Sequence, residues 1–350
     1  MKKAAVLFFL LLLLSGLFLA LSFSLKAYRS FHAAGLHSEM TQIYIAPGTG
    51  LKKIASLLEK NGLIKNGLIF QLGVRLSRKT NALKSGEYQI PPYASPQMIM
   101  NILSQGQTFV RKVTVPEGLT SFQIAMILDN AYGLTGKIST LPEEGSLLPD
   151  TYYYSMGDTK QSVLDRMHVA MQKTVRDLWS KRRDDLPFKT PEEAVILASI
   201  VEKETGVSGE RAHVASVFIN RLHKGMRLQS DPTVIYALSN GSGILERQLW
   251  SNDLKVQHTH NTYVIKGLPP SPIAHPGRAA LEAVLNPMDT KDLYFVADGN
   301  GGHVFAEDLK EHNINVRRWR NVKKLRKTTL TPPDIPSLKK ENDEPDTSQR

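Results

Sequence analysis

Two carboxylates suited to acid–base chemistry, Glu202 and Glu204, lie two residues apart in a largely apolar segment. On a helix, Glu204 would end an apolar stripe. The stripe consists of Leu197, Ile200 and Val201. Apolar surroundings disfavour a charged carboxylate and raise its pKa, so the group stays protonated near neutral pH, as a general acid must. Spacing alone leaves the alternative that both glutamates are solvated helix charges.

The residues before the glutamates predict the helix that would position them. Thr190 is a good N-cap, Pro191 suits the first helical position, and Glu193 completes a capping box. The helix is expected to run to about Thr205 and to stop at Gly206. The two glutamates then point in roughly opposite directions around the axis, because a helix turns once in about 3.6 residues. Glu202 is expected to be a structural hydrogen-bond partner.

Two further short helices are predicted after this one. Ser208 can cap a helix over residues 209–223. Asp231 with Pro232 can cap and start another helix. The polar candidates for a site on these elements are Asn220, Arg221, Gln229, Asp231 and Tyr236. Of these, Asp231 is either a ligand-binding carboxylate or only a helix cap.

Three stretches of the chain carry a resemblance to a known family. The run ASIVEKET, followed by ERAHVASVFINRLHKGMRLQSDPTVIYAL, closely resembles the motif of the endolytic murein transglycosylases, the YceG-like family. The resemblance continues in NTYVIKGLPPSPIAHPG (residues 261–277) and in LYFVADGNGGHVFA (residues 293–306), and it extends over residues 43–326. Members of this family are single-pass inner-membrane proteins that cut peptidoglycan glycan strands internally.

The resemblance implies a catalytic role for the second glutamate of E-K-E-T, which is Glu204. It implies a non-hydrolytic cut between N-acetylmuramic acid and N-acetylglucosamine. One glutamate protonates the leaving oxygen and then takes the proton of the muramic C6 hydroxyl, which leaves a 1,6-anhydro end. Candidates to hold the glycan or orient the glutamate are Asn220, Arg221, Gln229, Asp231, Tyr236, Asn261 and Tyr263. The resemblance also implies work beside peptidoglycan synthases, ending nascent strands.

Two rival functions remain open on the sequence. A hydrolytic muramidase would use Asp231 as a second carboxylate, because ordinary glycosidases need two. A non-catalytic wall-binding anchor would need only a glycan-binding module, although the intact E-K-E-T region argues against it.

The N-terminus predicts a membrane anchor. Residues 4–25 form an unbroken, charge-free and mostly apolar run, long enough to span a bilayer as a helix. A cleaved signal peptide is the rival interpretation, but the run is longer than a usual signal core. Lys2 and Lys3 favour a cytoplasmic N-terminus at residues 1–3, while Lys26 and Arg29 weaken that assignment. The rest of the chain would then lie in the periplasm of a bacterium.

An α+β architecture is predicted for the remainder. Residues 43–107 read as a strand, two helices, a returning strand and a last helix, and the start resembles a LysM-type glycan-binding module. The pattern IYIAPGTGLKKIASLL recurs as VTVPEGLTSFQIAMIL, so residues 108–185 are expected to hold a second strand–turn–helix unit and a linker helix. Convergent turn chemistry is the alternative to such a repeat. Residues 186–326 are assigned to a mixed catalytic domain, and residues 328–350 to a disordered tail.

Composition excludes several other chemistries. The formal net charge of +11 suits wall carboxylates or anionic lipids, and nucleic acid is not expected outside the cytoplasm. A solvated basic surface is the plain alternative. The chain has no Cys, so disulfides and thiol chemistry are excluded. It lacks HExxH, a phosphate loop and G-x-S-x-G, and His258 with His260 is short of a zinc site, so no metal or cofactor is expected.

Overall fold

The computed structural model describes residues 2–329, with side chains from 7 to 324. Met1 and residues 330–350 lie outside the described residues. Of the predicted disordered tail over residues 328–350, only 328 and 329 are described, and they are helical rather than disordered because the last helix continues to Thr329. The described chain is a mixed α+β protein in which eleven α-helices accompany three two-stranded antiparallel sheets. It divides into two compact units, residues 1–171 and 172–350.

The first unit begins with α1 (Lys2–His32), whose residues 7–32 are long and apolar enough to cross a membrane. A small module follows. Its elements are β1 (Thr41–Ile45), α2 (Leu51–Lys60), α3 (Gly67–Leu76), β2 (Gly86–Ile90) and α4 (Pro96–Gln105). Asn66 caps α3 and Ser95 caps α4 through their side-chain oxygens, which fixes where these helices begin. The predicted order of strand, two helices, strand and helix is thus observed.

A second strand–helix–strand arrangement completes this unit. Its elements are β3 (Arg111–Thr114), α5 (Ser121–Asp129) and β4 (Thr151–Tyr154), with β3 and β4 antiparallel. Helix α6 (Lys160–Trp179) follows, and the boundary between the two units after residue 171 falls within it. A capping box of Thr120 and Gln123 starts α5. The bidentate ion pair of Arg111 with Glu87 joins β3 to β2, so the two arrangements are connected by more than the chain.

The second unit is built around one buried helix. Its elements are α7 (Pro191–Glu204), α8 (Arg211–His223), α9 (Asp231–Leu238), α10 (Arg278–Leu285), β5 (Tyr294–Ala297), β6 (His303–Ala306) and α11 (Leu309–Thr329). Helix α7 contacts α8, α9 and α10. Its residues 194–201 are all buried and, apart from Ser199, apolar, as expected for a central helix.

Two local predictions need correction. A 3₁₀ turn at Ser208–Glu210 precedes α8, which therefore begins at Arg211 rather than at residue 209. Asp231 is the first residue of α9 and not its cap, because the N-cap position belongs to Ser230 and the Asp231 carboxylate accepts a hydrogen bond from Tyr263 instead.

Candidate active site

Glu204 is the last residue of α7, at the point where the buried helix reaches a cleft. The capping box of Thr190 and Glu193 starts the helix as predicted, and Thr205 in extended conformation ends it. A carboxylate at a helix C-terminus faces the negative end of the helix dipole, which disfavours its charge. The position of Glu204 therefore favours the protonated carboxyl.

A single hydroxyl fixes the orientation of this carboxyl. Ser230 Oγ donates a hydrogen bond to Glu204 Oε1 at 2.5 Å. Ser230 is itself held, since its backbone N–H donates to Thr262 Oγ1 at 2.9 Å and its carbonyl accepts from Thr233 Oγ1 at 2.6 Å. All three hydroxyl residues are buried. The hydroxyl network that holds Glu204 is thus itself buried away from solvent.

Burial raises the pKa of Glu204 to about 7. The hydrogen bond from Ser230 acts in the opposite direction, because it stabilises the carboxylate. The nearby charge of Asp231 raises the pKa, whereas His303 and Arg221 lower it. A carboxyl with a pKa near neutrality can give and take a proton with comparable ease, which suits one group acting as acid and then as base.

The cleft beside Glu204 has a volume of about 470 Å³. Four of the residues predicted for the site line it together with Glu204: Arg221, Gln229, Asp231 and Tyr263. Tyr263 donates its hydroxyl hydrogen to Asp231 Oδ1 at 2.6 Å, and burial raises the pKa of this phenol further above its ordinary value. Glu204 and Asp231 thus share the cleft as a pair of carboxyl groups in different environments.

Arg221 is buried and held by backbone carbonyls. Its Nε donates to the Leu293 carbonyl and its Nη1 to the Leu228 carbonyl, both at 2.6 Å, and its guanidinium lies 5.3 Å from the ring centroid of Tyr294. Burial lowers the pKa of Arg221 from its ordinary value. The side chain therefore serves the cleft as a fixed positive charge in its wall.

Three predicted site residues lie outside the lining of the cleft. Asn220 donates to the Thr290 and Asp292 carbonyls at 2.9 and 3.0 Å, and so fixes the loop before β5. Asn261 is buried and donates to two backbone carbonyls in its own loop. Tyr236 packs its ring against His260, with centroids 5.0 Å apart. Each has structural contacts that account for its side chain.

The neighbouring Glu202 has the structural role expected from its direction. Its Oε1 accepts from Arg211 Nη2 at 3.3 Å and its Oε2 accepts from the backbone N–H of Gly277 at 2.9 Å. The Glu202 side chain is only 4% exposed. Since Gly277 is the N-cap of α10, this carboxylate ties the end of α7 to the start of α10.

Several residues of the site were missed by sequence reasoning. Ser230 directly precedes Asp231 in the Q-S-D-P segment. Its position next to a predicted site residue was the signal that could have identified it. The far wall of the cleft was not predicted at all. It includes Tyr294 and Phe295 of β5, and His312, Val316, Trp319 and Arg320 of α11. The spacing of these α11 residues is helical and was visible in the sequence, but nothing in it indicated what they would face.

Among the residues that the structure describes, no cluster of three His, Cys, Asp or Glu could hold a metal ion. His258 and His260 lie with ring centroids 5.4 Å apart, and the second of them hydrogen-bonds to Ser271 Oγ at 2.8 Å. The cleft lining itself carries carboxyl, phenol, imidazole, guanidinium, carboxamide and indole groups.

Comparison with known proteins gives consistent matches over most of the chain. The model of the YceG-like family matches residues 43–318. An endolytic murein transglycosylase of Bacillus subtilis is 32% identical over 304 residues, which cover 77% of this chain and 82% of that protein. One of Streptococcus pneumoniae is 30% identical over 323 residues, which cover 80% of this chain but 58% of that longer protein. A crystal structure of a yceG-like protein from Listeria monocytogenes has 31% identity and a TM-score of 0.48, covering 79% of this chain and 99% of that one.

Proposed function

Because the chain belongs to the YceG-like family, as its motifs predicted, we propose that it is an endolytic peptidoglycan lytic transglycosylase, a lyase acting on the cell wall. It cuts the β-1,4 bond between N-acetylmuramic acid and N-acetylglucosamine within glycan strands. The new ends are 1,6-anhydro-muramic ends, and the cut stops the elongation of nascent strands.

Glu204 is the proposed acid and base of this reaction. Its carboxyl proton passes to the glycosidic oxygen as the bond to the muramic C1 breaks. The C6 hydroxyl oxygen of the same sugar then closes on C1, and the Glu204 carboxylate takes the hydroxyl proton. The group ends in its starting state and no water is consumed, so one carboxyl near neutrality is sufficient.

The observation that carries this proposal is the state of Glu204 in the cleft. It has a pKa of about 7, a hydroxyl that fixes its orientation and an open volume beside it large enough for part of a glycan. We assign Arg221, Gln229, Asp231 and Tyr263 to contacts with the glycan. The other candidates, Asn220, Tyr236 and Asn261, are assigned to holding the loops that carry these contacts.

A hydrolytic muramidase is the second candidate, because Asp231 supplies another carboxylate in the same cleft. The two reactions leave different ends, since hydrolysis adds one water and gives a reducing end. Mass spectrometry of products from purified glycan strands separates them. We expect anhydro ends from the wild type and a loss of at least ~10²-fold in rate for Glu204→Gln. Reducing ends, or anhydro ends formed by a folded Glu204→Gln variant at near wild-type rate, would exclude the mechanism.

We also propose the placement and partners of the enzyme. Helix α1 is retained as a single-pass anchor in the inner membrane of a bacterium, with the rest of the chain in the periplasm. The β1–α4 module binds glycan in the manner of a LysM domain, and peptidoglycan synthases are the partners. Sequencing of the mature N-terminus tests the anchor, because signal cleavage near Ser22 would remove most of the apolar part of α1.

A further inference from the structure

Helix α3 exposes a row of large apolar side chains. Leu68, Leu72 and Leu76 recur every four residues and are 75%, 41% and 76% exposed. The opposite face of the same helix contributes Phe70 and Val74 to the module's core. We call the three exposed residues the α3 leucine face. A water-facing helix surface normally carries polar side chains, so an apolar face of this size indicates a contact that the module alone does not supply.

The spanning helix α1 is packed directly against α3. Phe31 of α1 is buried within the module's core cluster. A side-chain carbon added at Gly73 of α3 would lie 2.3 Å from the Phe31 ring, so the glycine is what permits the close approach of the two helices. The module therefore has a fixed orientation relative to α1, and through it relative to any membrane that α1 crosses.

The residues that line two depressions between α1 and α3 indicate that the helices run in opposite directions. An apolar groove of about 560 Å³ separates Leu21 and Leu25 of α1 from Leu72 and Leu76 near the end of α3. The residues that begin α3 adjoin a later part of α1. Lys65, Asn66 and Ile69 line a second depression together with Arg29 and Ala33, and of these three only Ile69 also lines the first groove. Leu76 is consequently level with the apolar part of α1, and Leu68 is nearer its polar end.

The level of the bilayer follows from the length of the apolar run. A helix over residues 4–25 spans about 33 Å at 1.5 Å per residue, close to the ~30 Å thickness of a hydrocarbon core. The core boundary on the module's side then lies near Leu25, just before Lys26 and Arg29. Leu76 adjoins this boundary through the shared groove.

We propose that the α3 leucine face lies against the lipid bilayer that α1 crosses, with Leu76 inserted most deeply, Leu72 next and Leu68 at the headgroups. The occupant of the face is lipid, because the face is continuous with the lipid-exposed side of the anchor. Arg75, which is exposed on the same helix, and Lys65 at its start can reach anionic headgroups while their stems lie along apolar surface. The inference rests on the proposed anchor role of α1 and does not depend on catalysis.

The absence of cysteine makes a direct test possible. Single variants Leu76→Cys, Leu72→Cys and Leu68→Cys of the full chain are labelled with an environment-sensitive fluorophore and placed in phosphatidylethanolamine–phosphatidylglycerol vesicles. Gln89→Cys, on an exposed position of β2, is the matched control from the same module. Flotation with the vesicles reports separately whether α1 is inserted, and unchanged thermal unfolding reports the fold.

We expect a blue-shifted emission for the Leu76 label and quenching by nitroxides on lipid acyl chains. The Leu68 label should be quenched more by headgroup nitroxides, and the Gln89 label by aqueous iodide. Equal iodide quenching at Leu76 and Gln89 in floated protein would overturn the proposal. So would a Leu76 label that is shielded from iodide yet not quenched by lipid nitroxides, since another protein surface would then cover the face. If one of the other variants does not fold, the Leu72 label provides the same quenching measurement.

Discussion

At the scale of single residues, the burial that prepares Glu204 for proton transfer also destabilises the folded protein when this carboxyl is ionised. Its carboxyl ordinarily has a pKa of 4.5, and burial raises this to about 7 in the folded chain. The folded state therefore binds the proton more tightly than the unfolded state. Ionising the group in the folded protein costs on the order of 3 kcal/mol, at about 1.4 kcal/mol for each pKa unit.

This cost predicts a pH-dependent difference between the wild type and Glu204→Gln. The contribution of the protonated Glu204 is complete below its unfolded pKa of 4.5 and is lost as pH rises to about 7. Glutamine cannot ionise, so between pH 4 and pH 8 the free energy of unfolding of the variant should rise by up to about 3 kcal/mol relative to that of the wild type. Denaturant unfolding between pH 4 and 8 measures it. Glu192→Gln, on an exposed position of the same helix, should give no such gain, and parallel curves for all three proteins would contradict the raised pKa.

The hydroxyl of Ser230 provides a second prediction. It donates to the Glu204 carboxylate and so lowers the pKa against the effect of burial. Ser230→Ala should therefore move the alkaline limb of the rate profile to higher pH. It should also reduce kcat by about 10- to 150-fold, since a hydrogen bond to a charged group contributes about 1.5–3 kcal/mol.

The matched control for this variant is Ser239→Ala at the other end of α9, which removes a hydroxyl that donates to the Tyr236 carbonyl and accepts from the Gly243 N–H but makes no bond to Glu204. Its pH–rate profile should coincide with that of the wild type. If Ser230→Ala loses rate but keeps the wild-type alkaline limb, Ser230 has only a packing role.

At the scale of elements, α7 carries two carboxylates with separate tasks. The Glu202 carboxylate joins α7 to Arg211 of α8 and to the N-cap of α10, where a negative charge is also favoured by the helix dipole. Glu202→Gln should therefore lower the free energy of unfolding by about 1–3 kcal/mol at neutral pH while cleavage remains within about 10-fold. Denaturant unfolding and product release measure the two effects. A variant that is fully stable yet inactive would instead place Glu202 in the chemistry.

The helices and strands were largely predictable, because their signals are local. Thr190, Pro191 and Glu193 define the start of α7 within four residues of sequence, and the capping box is observed. The partner of Glu204 was not predictable in this way, since Ser230 lies 26 residues further along and is brought in by packing. The distinction between an apolar and a smaller-residue face of α7 was also insufficient, because both faces are buried. What separates the two glutamates is the set of groups that each one meets.

At the scale of the whole molecule, the residues that line the cleft and those that hold Glu204 all belong to the second compact unit. We therefore expect a chain of residues 172–350 to fold and to cleave soluble glycan strands at a rate of the same order as the full protein. It should be retained less on insoluble peptidoglycan, because the proposed LysM-like module lies in the first unit. Sedimentation with purified cell walls and product mass analysis measure the two properties.

The same fragment carrying Glu204→Gln is the control, since it should bind as the fragment does and release no anhydro products. Equal retention of the fragment and the full chain would mean that the β1–α4 module does not bind glycan, whatever its fold. A fragment that unfolds cooperatively but does not cleave would mean that the first unit contributes to the reaction. The two results are independent, because binding is read from the wall pellet and cleavage from the anhydro ends.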